Sequence, residues 1–228
     1  MLAFWGLSIF VAGPLLLLYA VLTRDVGPLY RVATNLGITG VRLVGVKIEE
    51  VGKENIKPGQ NYIFMSNHVS NLDPPCEIPL IPGRCSVLVK KELFRVPILG
   101  TGMKMAQLVP VDRSNRESAI QSVREGVAVL KHGLHMVIYP EGTRSPDGRL
   151  LPFKKGPFHL AMESGVPVLP QTILGTYEAW PKHCFALKPR RVTIVYHPPV
   201  DPADYADRDE LMAAVRETIA SALPAERR

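Results

Sequence analysis

Two short stretches of this 228-residue chain carry side chains that can move a proton and grip an anion. The first, SNHVSNLDPP at residues 66–75, sets His68 and Asp73 five positions apart among small polar residues. On one helix such a pair would stand roughly 140° apart, so the two would not share a face. A turn can instead fold the carboxylate back onto the imidazole. A histidine held in that way is a general base near neutral pH, with its tautomer fixed and its cation supported. Spacing alone leaves a plainer reading open, in which His68 is a satisfied loop histidine and Asp73 only caps a helix that Pro74 begins.

The second stretch, YPEGTRSPDG at 139–148, ends an apolar run and is marked as a loop by Gly142, Pro146 and Gly148. Arg144 sits at its middle between Thr143 and Ser145. A planar fork of donors, two hydroxyls and turn amides suit a phosphate, although a solvated turn has the same composition. Lys154 and Lys155 precede a helix opened by Pro157, a further place for an anion. Lys90, Lys91 and Arg113 fall near strand ends, where each alone reads equally as surface charge, and Asp112 and Arg113 can pair with each other.

Positioning such loops needs a sheet. Strand-like apolar runs occur at 41–50, 61–66, 85–90, 105–111, 135–140, 166–173 and 191–197, with helical patterns between them. Ser114 and Glu117 form a capping box, followed by Ile120, Val123, Val127 and Leu130 at helical spacing, and Gly133 stands where a C-terminal cap belongs. Leu211, Val215 and Ile219 recur every four residues, as on a helix packed against a sheet. The expected fold is α/β, a mixed central β-sheet flanked by helices over 41–228, preceded by a hydrophobic helical segment at 1–40.

Residues 1–22 carry no charged side chain. As a helix they would extend about 33 Å, enough for a hydrocarbon core of about 30 Å. No basic region precedes them and no small-x-small site follows, which argues against a signal peptide. A buried soluble helix is the alternative. Gly13–Pro14 would kink a spanning helix or split it into pieces lying in one leaflet. Arg24, Arg31, Arg42 and Lys47 follow the apolar run, so the remainder is expected on the cytoplasmic face of the membrane.

The chain has a formal charge of +6, which suits anionic partners. Its basic residues are not interleaved with aromatics, against a nucleic-acid partner. Cys76, Cys85 and Cys184 form no C-x-x-C pair, and no H-E-x-x-H, Walker loop or G-x-G-x-x-G occurs; the LGTG at 99–102 lacks the third glycine. Zinc, disulfide and dinucleotide readings therefore fail.

In this order, NHVSNLD, VPVDR, PEGTRS and VPVLP resemble the four motifs of the glycerolipid acyltransferases, most closely those acting on 1-acyl-sn-glycerol 3-phosphate. The resemblance extends over about residues 60–175. It implies His68 as general base with Asp73 orienting it, and Glu141, Gly142, Thr143, Arg144 and Ser145 as the glycerophosphate motif with Arg144 the main ligand. It further implies Arg113 and Lys90 or Lys91 as acceptor-site residues, and Val166, Pro167 and Pro170 on the acyl-donor side. Val109–Pro110–Val111 departs from the aromatic or branched residue and isoleucine usual before the Asp-Arg pair. The implied partners are lysophosphatidic acid, an acyl-CoA or acyl carrier protein thioester, and a phospholipid membrane. No metal or organic cofactor is expected. No G-x-S-x-G elbow occurs, so no covalent acyl-enzyme is expected either. Ser70 and Cys76 are the nucleophiles nearest His68 in sequence. Another acceptor, a thioester hydrolase and a non-catalytic binder of anionic lipid remain as alternatives.

Overall fold

Apolar runs, unbroken in the central strands and alternating in two others, lay seven strands side by side. The computed structural model describes residues 1–112, 116–184 and 186–228. Its strands are β1 (Lys47–Val51), β2 (Ile63–Ser66), β3 (Cys85–Lys90), β4 (Val109–Val111), β5 (His135–Ile138), β6 (Val168–Leu174) and β7 (Arg191–Tyr196). They form one sheet in the order β1-β7-β6-β2-β5-β3-β4. All pairs are parallel except β6 with β7, so the sheet is mixed, as expected.

The central strands are buried on both faces. Tyr62 and Phe64 enter one core with Leu72, Cys76, Val137, Leu169 and Ile194, while Ile63 and Met65 enter the other with Met136, Ile138 and Phe158. Buried parallel strands read as continuous apolar runs, which is why they stand out in the sequence. Helices α5 (Arg116–Lys131), α6 (Gly156–Ser164) and α8 (Arg208–Ser221) belong to the second core. Leu211, Val215 and Ile219 of α8 are each fully buried, a stabilisation of roughly 1.5–3 kcal/mol per side chain.

Three expectations change. The run at 41–50 starts as helix: α2 (Gly27–Leu43) continues through Val41, and the strand begins only at Lys47. Gly40 explains why. A Cβ there would lie 2.2 Å from Trp5 Nε1, so this turn of α2 is pressed against α1 (Leu2–Thr23). Tertiary contact thus overrides the β-rich local composition, and the expected boundary at residue 40 falls inside a helix. Second, of the kinking and splitting left open at Gly13–Pro14, splitting does not occur, for α1 is one helix through Pro14. Third, Ile120 is 49% exposed, so α5 packs through Val127 and Leu130 and leaves Ile120 in solvent. Ser114 of the capping box lies outside the described residues.

Direction places the chemistry. β2, β3, β4, β5 and β6 all run one way, so the loops leaving their C-terminal ends gather at one edge of the sheet. From β2 the chain crosses to β3 on one side, and from the adjacent β5 it crosses to β6 on the other. Where neighbouring strands diverge like this, a crevice opens outside their carboxyl ends, the usual ligand position of open α/β sheets.

Candidate active site

SNHVSNLDPP leaves β2 at that crevice, and YPEGTRSPDG leaves β5 beside it. His68 Nδ1 lies 2.7 Å from Asp73 Oδ2. The same oxygen accepts the amides of Val69 and Ser70, each at 2.8 Å. Asp73 opens the short helix α3 (Asp73–Glu77), with Leu72 at its N-cap position. Its carboxylate therefore does not cap the helix but folds back over the preceding turn. Asp73 is fully buried, and its Oδ1 bonds nothing among the described residues. The His68 side chain is 13% exposed, and Nε2 has no hydrogen-bond partner among them either. An imidazole gripped at Nδ1 and open at Nε2 is arranged to take a proton from a bound hydroxyl.

The two loops are zipped together through the backbone of His68. Its amide donates to Glu141 Oε1 at 2.7 Å, and its carbonyl accepts the Ser145 amide at 2.8 Å. Glu141 Oε2 accepts the Leu151 amide at 2.9 Å. Glu141 is thus a brace inside the loop, and burial lifts its pKa to about 7. Gly142 has φ +71°, the left-handed turn that glycine adopts at no steric cost. Thr143 is exposed at the turn, and Ser145 is buried with its hydroxyl on Asp147 Oδ1. Arg144 is half-buried and its guanidinium bonds no protein group among the described residues, while its carbonyl accepts Lys182 Nζ at 3.3 Å.

The general acyltransferase family model, described as Acyltransferase, matches residues 47–174, more than half of the chain. The chain belongs to the acyltransferase family. It is 39% identical over 186 residues to the 1-acyl-sn-glycerol-3-phosphate acyltransferase of Limnanthes alba, covering 80% of this chain and 66% of that protein. It is 34% identical over 152 residues to the human alpha enzyme of the same name, covering 66% of this chain and 52% of that one. The chain therefore spans two thirds or less of the length of these relatives. Among solved structures it resembles the 1-acyl-sn-glycerophosphate acyltransferase PlsC from Thermotoga maritima, with TM-score 0.80 and 30% identity over 96% of this chain and 91% of that one.

The remaining motif residues of this acyltransferase domain are dispersed. Lys91 follows β3 and pairs with Asp112, which follows β4, so this lysine stands at the same edge as His68. Lys90 is exposed, 3.6 Å from Glu92. Arg113 lies outside the described residues. Val166 and Pro167 precede β6, at the edge opposite the site, and Pro170 sits within β6 opposite Met65 of β2; the fold does not bring the first two to His68. Cys76 is fully buried and Ser70 donates to the Trp180 carbonyl at 2.8 Å, so neither is aimed as a nucleophile.

Lys182 and Tyr139 are site neighbours that the motifs do not single out. Ser70 bridges to Pro181, which brings the 180–182 segment beside the His68 loop; only its position after the fourth motif could have hinted at this. The Tyr139 ring stacks on the His68 imidazole, centroids 4.1 Å apart and planes 19° from parallel.

One pH effect follows from the Glu141 brace. Its folded pKa, about 7, lies above the ordinary carboxyl value, so the folded state holds the proton more tightly than the unfolded chain. Its contribution to stability is full below about pH 4 and is lost as pH rises through 7. Urea unfolding from pH 4 to 8 should show wild-type stability falling relative to Glu141→Gln over this window. A constant difference would refute the raised value.

Proposed function

We propose that the protein transfers a fatty acyl group from an acyl thioester to the free hydroxyl of 1-acyl-sn-glycerol 3-phosphate, giving phosphatidic acid at a membrane surface. The observation that carries this reading is the imidazole fixed at Nδ1 and, among the described residues, free at Nε2, zipped to a loop whose Arg144 fork bonds none of them. The names of the relatives support the same acceptor.

An alcohol is a poor nucleophile at neutral pH, so the hydroxyl needs a base at the moment of attack. His68 Nε2 takes its proton as the oxygen bonds to the thioester carbonyl carbon. The C–S bond then breaks, and the imidazolium returns the proton to the departing thiolate. Asp73 supports the transient cation. Arg144 and Lys91, with Lys182 beside them, hold the phosphate so that the hydroxyl reaches Nε2, which is catalysis by positioning. Val166, Pro167 and Pro170 act on the donor side only through the core, by setting where β6 enters the sheet.

A cavity of about 490 Å³ begins at Asn71, Pro74 and Pro75, next to the base, and runs between α1, α2 and α4 (Leu99–Met105). Its lining is almost wholly apolar, including Ile9, Leu16 and Met103, as an acyl chain requires. Helix α1 has a second role. One side walls this cavity, while Phe10, Val11, Leu15, Leu18 and Leu22 face outward and are exposed. The helix is long and apolar enough to cross a bilayer, and Ala20 is its one buried residue. It anchors the protein, and the basic residues after it keep the domain on the cytoplasmic face.

The direct test is to supply purified protein with an acyl-CoA and lysophosphatidic acid and to follow phosphatidic acid. No product with either an acyl-CoA or an acyl carrier protein donor would remove the reading. Deleting residues 1–23 should move the protein from the membrane fraction to a high-salt extract; retention would assign anchoring to another surface.

A further inference from the structure

At the far end of the Tyr139 ring that stacks on the proposed base lies a carboxyl group that the reaction does not use. Glu77, the last residue of α3, is fully buried. It receives the Ser66 hydroxyl at 3.1 and 3.2 Å and the Tyr139 hydroxyl at 2.8 Å. A carboxyl in a core is costly, and an apolar residue of similar volume packs there at no such cost. Its two partners come from the end of β2 and from just after β5, and Glu77 itself from α3, the elements that carry the two site loops and Asp73.

We propose that Glu77 is a positioning residue for His68, acting through Tyr139: it anchors the phenol hydroxyl and so fixes the ring on which the imidazole stacks. This rests on His68 as the proposed base. The single hydrogen bond to Asp73 leaves the imidazole free to swing about that bond. A ring held flat against it at 4.1 Å removes the swing and keeps Nε2 aimed at one point. The ring could itself rock about its own side-chain bonds. The Glu77 contact at its far end prevents this.

The brace works by hydrogen bonds rather than charge. The titratable groups that face Glu77 are Asp73 and Cys76 on α3, Cys85 on β3, Tyr139 after β5 and Tyr196 on β7, all of them acids. Burial pushes Glu77 up to about 8, and Tyr139 stays well above its ordinary range. Near neutral pH a mainly neutral acid thus meets a neutral phenol.

The experiment compares wild type, His68→Ala, Tyr139→Phe, Glu77→Leu, Glu77→Gln and the Tyr139→Phe/Glu77→Leu double variant, each as the full chain, with palmitoyl-CoA and lysophosphatidic acid. Tyr139→Phe keeps the ring and its volume but removes the anchor, and should lower kcat about tenfold with acceptor KM unchanged. Glu77→Leu should match it. The double variant should be no slower than either single one, because both remove one contact. Glu77→Gln keeps an acceptor oxygen for the phenol and should restore most of kcat. Losses that multiply in the double variant, a loss confined to KM, or a Gln variant as slow as Leu would each overturn the proposal. If Glu77→Leu does not fold, Tyr139→Phe and Glu77→Gln decide it. A fully active His68→Ala would instead remove the base itself. An inactive His68→Ala beside an unaffected Tyr139→Phe would remove only the brace.

Discussion

His68→Ala is expected to abolish acceptor-dependent thiol release from acyl-CoA, lowering kcat by about 10² to 10⁴-fold, the range of a positioned general base. The size follows from the geometry. Nε2 is the one atom of the dyad left open to a substrate, and neither Ser70 nor Cys76 is free to replace it. Release is to be measured with and without lysophosphatidic acid in both proteins. Wild type should release thiol only when the acceptor is present. Release without acceptor would show that water is the nucleophile and the protein a hydrolase. Lipid binding without turnover in every arm would leave only a headgroup binder. Asp73→Asn should fall in the same direction, since an amide at that place would bond the opposite tautomer.

Arg144→Ala should raise the KM for lysophosphatidic acid about 10- to 100-fold and leave the KM for the thioester unchanged. Charge-assisted hydrogen bonds contribute about 1.5–3 kcal/mol each, and among the described residues the guanidinium has no protein partner to soften the loss. Arg144→Lys should fall between, because a point charge replaces a two-pronged fork. A monoacylglycerol, which lacks the phosphate, separates the explanations. With that acceptor the variant and wild type should be equally slow if Arg144 grips phosphate. A change confined to the thioester KM would assign Arg144 to the donor instead.

Much of this arrangement is written locally. The central strands are covered on both faces, so their apolar runs are unbroken and their ends visible. The two polar loops stand out because they interrupt those runs with histidine, carboxylate and arginine where a core would carry none. What escapes a single sequence is long-range. Val41 looks like the start of a strand until Trp5 meets Gly40, 35 positions earlier in the chain. Ile120 keeps helical spacing with Val127 and Leu130 yet faces solvent, since spacing cannot say where the neighbouring layer ends. Glu141 reads as part of an anion-binding loop, but a carboxylate repels phosphate, and its hydrogen bonds are spent on two backbone amides. Glu77 and Tyr139 are 62 residues apart, and no local pattern marks either as a neighbour of His68.

The backbone zip through His68 has a consequence for isomers. Because Glu141 and Ser145 tie the base to the arginine loop, the two behave as the jaws of a caliper locked at one opening. In 1-acyl-sn-glycerol 3-phosphate the free hydroxyl stands on the carbon next to the phosphate-bearing one. In the 2-acyl isomer it stands one carbon farther away. The two molecules share composition, charge and apolar bulk, and a site that recognised only those features would treat them alike. If His68 is the base and Arg144 the phosphate ligand, as proposed, a locked caliper would measure the span itself and so confer regiochemistry on a site whose individual contacts carry none.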